Sequence, residues 1–255
     1  MKTVPALLSL LLCLSVAAAI TLPEGPGSFI ETNASRRTPA PTQNITAQAG
    51  NVTQLVLTGT TVTQTWAGFY GNITGTITLD DAQNFTLYNW TMVRPQGEVY
   101  AADAEVTWET GTVVCYNYSR DNLTYISLAD FESEFGIVST DPDGINETFL
   151  INRSHRSFYA GGNYINGTLG QKTTGGYACP AVSLYNSTGQ NDEQYQEVIL
   201  YNFAAQRPFF ASLIEQNPVL GFNNQYWDFE MILPVNNHNG SIATKDYYFY
   251  VELGP

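Results

Sequence analysis

Positive charge is scarce in this chain. Of 255 residues only 10 are Lys or Arg, against 23 Asp or Glu, and no basic cluster exists beyond Arg36-Arg37. Nucleic acid and anionic membrane surfaces are recognised through basic patches, so neither is expected as a partner. Charge of either sign is also low, at 13% of residues, so solubility must come from something else. Histidine is limited to His155 and His238, far apart in sequence. With two usable cysteines they make no recognisable zinc ligand set, and no metal is expected. There is no Gly-x-Ser-x-Gly elbow, no His-Glu-x-x-His and no phosphate-cradling glycine loop. No catalytic residue is nominated, the chain is not read as an enzyme, and no cofactor is expected.

Long hydrophobic runs are missing except at the start. Lys2 precedes the apolar run Leu7 to Val16, and Ala17-Ala18-Ala19 offers a small-residue cleavage site. This is the pattern of a secretory signal, residues 1–19. A membrane anchor is the alternative, but the apolar stretch from Ala6 to Ile20 is short for a span of roughly 20 residues. The C-terminal Tyr247 to Pro255 carries no hydrophobic tail, so neither a lipid-anchor signal nor a tail anchor is expected. The expected product is secreted, or held at the cell surface without a membrane span.

Cysteine is nearly absent. Cys13 lies in the leader and lacks the small residues of a lipobox before it. Cys115 and Cys179 remain, and in an oxidising compartment two cysteines most simply pair.

What the chain has in excess is the acceptor pattern Asn-x-Ser/Thr. It occurs at Asn33, Asn44, Asn51, Asn72, Asn84, Asn89, Asn117, Asn122, Asn146, Asn152, Asn166, Asn186 and Asn239, which is 13 of the 21 asparagines. Chance would supply roughly three or four such sites. The glycans they permit would replace charge as the source of solubility. At Asn44, Asn51, Asn72, Asn84, Asn89, Asn117 and Asn122 the middle residue is apolar or aromatic. Strand alternation then predicts Asn and Thr facing solvent while the middle residue enters a core. From Asn146 onward the middle residues are polar or Gly, which predicts sites in turns.

Ile20 to Gln43 is Pro-rich and aperiodic, and reads as an extended N-terminal segment, either a linker or a donor strand for a neighbouring subunit. Residues 44–255 read as an all-β domain, mostly an antiparallel β-sandwich with one short helix, in which two sub-lobes would be joined by the disulfide. Strands are predicted over Thr53–Thr58, Val62–Trp66, Ile73–Leu79, Phe85–Trp90, Gly97–Ala101, Glu105–Trp108, Thr112–Tyr118, Tyr177–Tyr185, Glu197–Phe203, Asp228–Pro234 and Asp246–Leu253. Ser127 to Phe135 is the predicted helix, capped by Ser127 and ended by Gly136. Pro208 to Gln216 is compatible with a short helix or a strand. The last two strands are expected to form a hairpin around residues 236–240.

The segments Trp66-Ala67-Gly68-Phe69-Tyr70-Gly71-Asn72-Ile73-Thr74-Gly75, Leu87-Tyr88-Asn89-Trp90 and Gly97-Glu98-Val99-Tyr100-Ala101 resemble exported archaeal proteins without an assigned activity. The resemblance covers about residues 45 to 110, with the Tyr-rich end as a weaker match. It implies an archaeal cell-surface or secreted glycoprotein and brings no catalytic residues. Read on their own, Trp66, Phe69 and Tyr70 are core aromatics around a glycine-punctuated turn, or an exposed platform.

Asp141 and Asp143, in Asp-Pro-Asp-Gly, are calcium candidates because oxygens alternate before a Gly, but no Glu closes the loop and a plain turn accounts for them. Asp80, Asp81, Glu98, Glu105 and Glu109 are carboxylates from which a glycosidase pair could be drawn. Three functions follow. The first is a structural or adhesive surface protein, a coat or filament subunit that associates with itself or other surface proteins. The second is a carbohydrate-binding module, which requires an exposed aromatic row free of sequons. The third is a glycoside hydrolase, which requires two carboxylates facing across a cleft.

Overall fold

The computed structural model describes residues 22–31, 33–116, 128–151, 153–168, 179–185, 191–236 and 244–254. The expected signal, Ser127, His238 and the sequons Asn117, Asn122, Asn152, Asn186 and Asn239 lie outside them. The fold is all-β. In chain order the strands are β1 Trp66–Gly71, β2 Gly75–Asp80, β3 Thr86–Met92, β4 Gln96–Ala102, β5 Val113–Cys115, β6 Phe158–Ala160, β7 Asn163–Ile165, β8 Ala181–Tyr185, β9 Asn191–Asn202, β10 Arg207–Leu213, β11 Val219–Leu220, β12 Tyr226–Trp227, β13 Phe229–Pro234 and β14 Tyr248–Gly254. Helices α1, Leu128–Glu134, and α2, Ile145–Thr148, lie between β5 and β6. α1 falls within the predicted helix, Ser127 to Phe135, and is followed by Gly136, whose φ of +69° suits glycine. α2 follows the Asp-Pro-Asp-Gly turn and was not expected.

The centre is an antiparallel sheet in the order β14-β4-β10-β9-β5, with β8 also paired to β9. The long β9 serves two partners on one edge. Its residues Leu200 to Asn202 pair with β5, and Asn191 to Val198 pair with β8. Cys115 ends β5 and Cys179 lies just before β8, and they form a disulfide where the two partners meet.

Both faces of this sheet are buried. Val99, Ala101, Ile199 and Phe210 enter one core, while Tyr100, Ala102, Leu200 and Ala211 enter the other. The first core is closed by Phe131 of α1, Ile145 of α2, Phe149, and Met231 and Leu233 of β13. The second is closed by Phe158 and Ala160 of β6, Ile165 of β7 and the disulfide. The cover over either face is therefore helices and two-stranded ladders, where a sandwich would have a second large sheet. Double burial also explains β10. Pro-Phe-Phe-Ala-Ser-Leu is apolar at nearly every position, so no period of two can show in the sequence.

Three expectations fail. The last two strands do not form a hairpin: β13 pairs with β1, and β14 pairs with β4. Thr53–Thr58, Val62–Thr65 and Glu105–Trp108 lie in no strand, while Trp66 opens β1 instead of closing a strand. Residues 22–31 and 33–64 run outside the sheets, held at one end by a bridge between Glu24 and Val251 on the edge of β14. Finally, Ile45, Val52, Phe85 and Trp90 are exposed although the sequon pattern predicted them inside; Ile73 alone of the described five packs on the core. The reason is topological: among the described residues the arm has no ladder and β2 pairs with β3 alone, so no core lies beneath either.

Candidate functional site: a groove beside Asn72

The β1–β13 ladder ends at the pair Gly71 and Phe229. Asp228 takes over from there. Its backbone N–H donates to the Gly71 carbonyl at 3.0 Å, and its buried carboxylate accepts the Ile73 N–H at 2.7 Å. Asn72, between these two bonds, is thus fixed by its neighbours' backbone while its own side chain is exposed. Asn72 lines a groove of about 580 Å³ between the root of the β2–β3 hairpin and the segment around β12, together with Thr74, Arg94, Gln216, Tyr226 and Asp228. Ile73, Met92, Val93, Pro95 and Pro218 complete its lining, so the groove is an open, largely apolar furrow with a few polar side chains at its edges.

Rings from β1, from β12 and from the turn before β12 pack on one another, and none of the three lines the groove. Tyr70 packs 5.0 Å from Phe222 and 4.9 Å from Trp227, centroid to centroid. The Trp227 indole N–H donates to Asn223 Oδ1 at 2.9 Å, and the Phe222 N–H donates to Glu230 Oε1 at 3.0 Å, which pins the turn between β11 and β12. Beneath, the Tyr195 hydroxyl lies 2.6 Å from the Val219 carbonyl and 3.0 Å from that of Trp227; burial pushes its phenol up, so it stays a donor. Tyr226 is 63% exposed and Phe222 53%. Sequence reading singled out Asn72 but missed Arg94, Gln216, Tyr226 and Asp228. The local signal was the acceptor pattern Asn72-Ile73-Thr74.

The other nominated residues distribute as follows. Asn33, Asn44, Asn51, Asn84, Asn89 and Asn146 are exposed, and Asn166 is half-buried. Asn44 and Asn51 lie on the arm, Asn84 in the β2–β3 turn with φ +65°, Asn89 on β3, Asn146 in α2, and Asn166 just after β7. Asp141 accepts the Val138 N–H at 3.0 Å, while Asp143 accepts the Thr63 hydroxyl, and its carbonyl accepts the Trp66 indole N–H at 2.7 Å. Both are occupied in tying the turn and the end of the arm together.

The glycosidase carboxylates are not brought together. Asp81 accepts the N–H groups of Gln83 and Phe85, capping the hairpin turn. Asp80 accepts the Thr78 hydroxyl at 2.6 Å, which holds its carboxyl low. Glu105 and Glu109 are exposed, and Glu98 is buried against Glu252. On β14, Phe249 packs on Phe69 and Phe29, and Tyr250 on Trp108. The aromatics of this strand are therefore largely occupied, with Tyr248 the exposed one.

His155 joins the disulfide. Its Nε2 accepts the Cys179 N–H at 3.1 Å, and its Nδ1 lies 2.9 Å from the Arg156 carbonyl. Those partners require a neutral ring with the proton on Nδ1, and burial lowers its pKa accordingly. The ligand atoms of Cys115, His155 and Cys179 lie within 4.8 Å of one another, although the sequence separates them. In the disulfide the sulfurs offer no thiolate to a metal.

Among the described residues no helix is long and apolar enough to cross a membrane. No protein-family model, no curated protein and no solved structure matches this chain.

Proposed function

We propose that this chain is an extracellular, N-glycosylated structural or adhesive surface protein of archaeal type that assembles into a coat or filament with further copies of itself. The observation that carries this reading is the arm. Within residues 22–64, Val52, Leu55, Val56 and Leu57 are 102, 55, 87 and 85% exposed and take part in no ladder. A strand-prone apolar segment held in water is a site for pairing with another chain.

The same molecule offers an acceptor. β2 and β3 form a two-stranded ladder in which Ile77 stands opposite Trp90 and Leu79 opposite Tyr88. These four share one face and are each about half exposed. A two-stranded hairpin is marginal by itself, and a third strand with apolar cover would stabilise it. Donor and acceptor are different surfaces, so the contact is head-to-tail and propagates. The occupant is the arm of a second copy.

Light scattering with negative-stain imaging of the native secreted protein tests this. Ordered polymers are expected; a monodisperse monomer at all concentrations overturns it. Binding of free carbohydrate is less well supported, since the groove beside Asn72 offers one aromatic, Tyr226, next to an acceptor asparagine instead of a sequon-free aromatic row.

A further inference from the structure

We infer that the groove beside Asn72 is a sugar site whose occupant is the chain's own N-glycan. The inference rests on the reading of the chain as a glycoprotein. It goes further in assigning one of the 13 acceptor sites a structural, protein-seated glycan.

Two independent observations converge, the lining of the groove and the fixed backbone at Asn72. The acceptor Asn72 itself lines the groove. Its backbone is fixed on either side by the two hydrogen bonds to Asp228, so a sugar attached to Nδ2 starts from a defined point. Within the remaining lining, Tyr226 offers a ring for the apolar C–H face of a pyranose, Met92, Val93, Pro95 and Pro218 extend that apolar surface, and Arg94 and Gln216 carry polar groups for hydroxyl and amide groups. Tethering supplies the ligand at a high effective concentration, so modest contacts suffice. Asn44 and Asn51, on the arm, have no such surroundings.

The covalent step is glycosyl transfer from a lipid-linked oligosaccharide phosphate. The Asn72 Nδ2–C1 bond forms, the C1–O bond to phosphate breaks, and the amide proton leaves with the phosphate side.

The seated glycan pins the root of the β2–β3 hairpin to β12. Removing it should loosen this end of the molecule, and removing its stacking partner should do the same without further loss.

The test uses the full secreted protein and its variants Asn72→Gln, Thr74→Ala, Tyr226→Ala and Asn44→Gln. Thr74→Ala abolishes the acceptor pattern while keeping Asn72, which covers the case in which Asn72→Gln fails to fold. Glycopeptide mass spectrometry reads occupancy and thermal unfolding reads the midpoint. Asn72 is expected to be occupied. Thr74→Ala and Tyr226→Ala should each lower the midpoint, the double variant should fall no further than the larger single shift, and Asn44→Gln should leave it unchanged. Additive shifts, or no shift from Thr74→Ala, overturn the inference. A bare Asn72 with Asn44 occupied overturns it as well, whereas bare asparagines throughout overturn the glycoprotein reading itself. The source of the sugar is read with oligosaccharide released from the protein: Thr74→Ala should bind it and the glycosylated parent should not. Equal binding by both means that the groove is open to free sugar, and the tethered occupant is wrong.

Discussion

Glu98 and Glu252 stand directly opposite each other across the β4–β14 ladder, and both are buried. The Tyr100 hydroxyl donates to Glu252 Oε2 at 2.7 Å and the Gly161 N–H donates to the same oxygen at 3.0 Å. Burial, then the facing Glu252, pushes the Glu98 carboxyl well above the usual carboxylate range. Burial also raises Glu252, against the hydrogen bonds from Gly161 and Tyr100. The close approach is helped by Gly97, whose φ is +136° and whose missing side chain leaves room for the Glu252 carbonyl.

A pH dependence follows. A raised folded-state pKa means that the folded chain holds a proton the unfolded chain releases. The contribution of Glu98 is complete below the ordinary glutamate value and is lost as pH rises through its raised folded value. Glu98→Gln mimics the neutral acid. It should melt like the parent at about pH 4 and above it at about pH 8, either side of the ordinary glutamate pKa. Parallel melting curves across that range would show that Glu98 does not hold the proton.

His155 has the opposite sign. Its lowered pKa means stability that is present above the ordinary histidine value and lost as pH falls through the folded value. His155→Ala leaves the buried Cys179 N–H without its acceptor, at a cost of about 1–3 kcal/mol. Urea unfolding at neutral pH should register that loss, and the difference from the parent should shrink in acid. A cost that is independent of pH would assign His155 a packing role only.

The disulfide closes a loop with a sequence separation of 64. The chain-entropy account gives about 4 kcal/mol for such a closure. Replacing both cysteines with Ser should lower the unfolding free energy by an amount of that order. It should also loosen the junction where β5 and β8 meet along β9, read as faster amide exchange on β8 than on β4. Uniform exchange across the sheet would argue against a local role.

Phe210 and Leu57 should separate stability from assembly. Phe210, 1% exposed, lies in the core between the central sheet and the helices, and Phe210→Ala should cost about 3–5 kcal/mol. Leu57 is 85% exposed on the arm, and Leu57→Asp should leave the unfolding free energy of the monomer within about 0.5 kcal/mol of the parent. The same substitution should abolish polymers in light scattering. Polymers that survive it would remove the arm from the assembly contact.

Much of the sheet is legible in the sequence because local chemistry decides it. Gly97-Glu98-Val99-Tyr100-Ala101 and Asp246 to Leu253 read as strands from β-branched and aromatic content, and they became β4 and β14. Cys115 and Cys179 pair as expected. The arm was the hardest part to read. Leu55-Val56-Leu57 has the composition of a strand, but a strand needs a partner, and in a single chain that partner is absent from the ladders. The groove was equally hidden, since Asn72 is brought to Asp228 by the β1–β13 ladder across 156 positions of sequence.

Sequence alone determined the all-β character, the abundance of acceptor asparagines, the cysteine pair and the end of α1 before Gly136, because each depends on residues adjacent in the chain or on composition. Only the tertiary structure decided that both faces of the central sheet are buried, that β13 and β14 part company, that His155 supports the disulfide, and that Asn72 opens onto a groove with Tyr226. Those features depend on which strands pair. Pairing is settled by the sum of many weak contacts between distant segments, which no local pattern records.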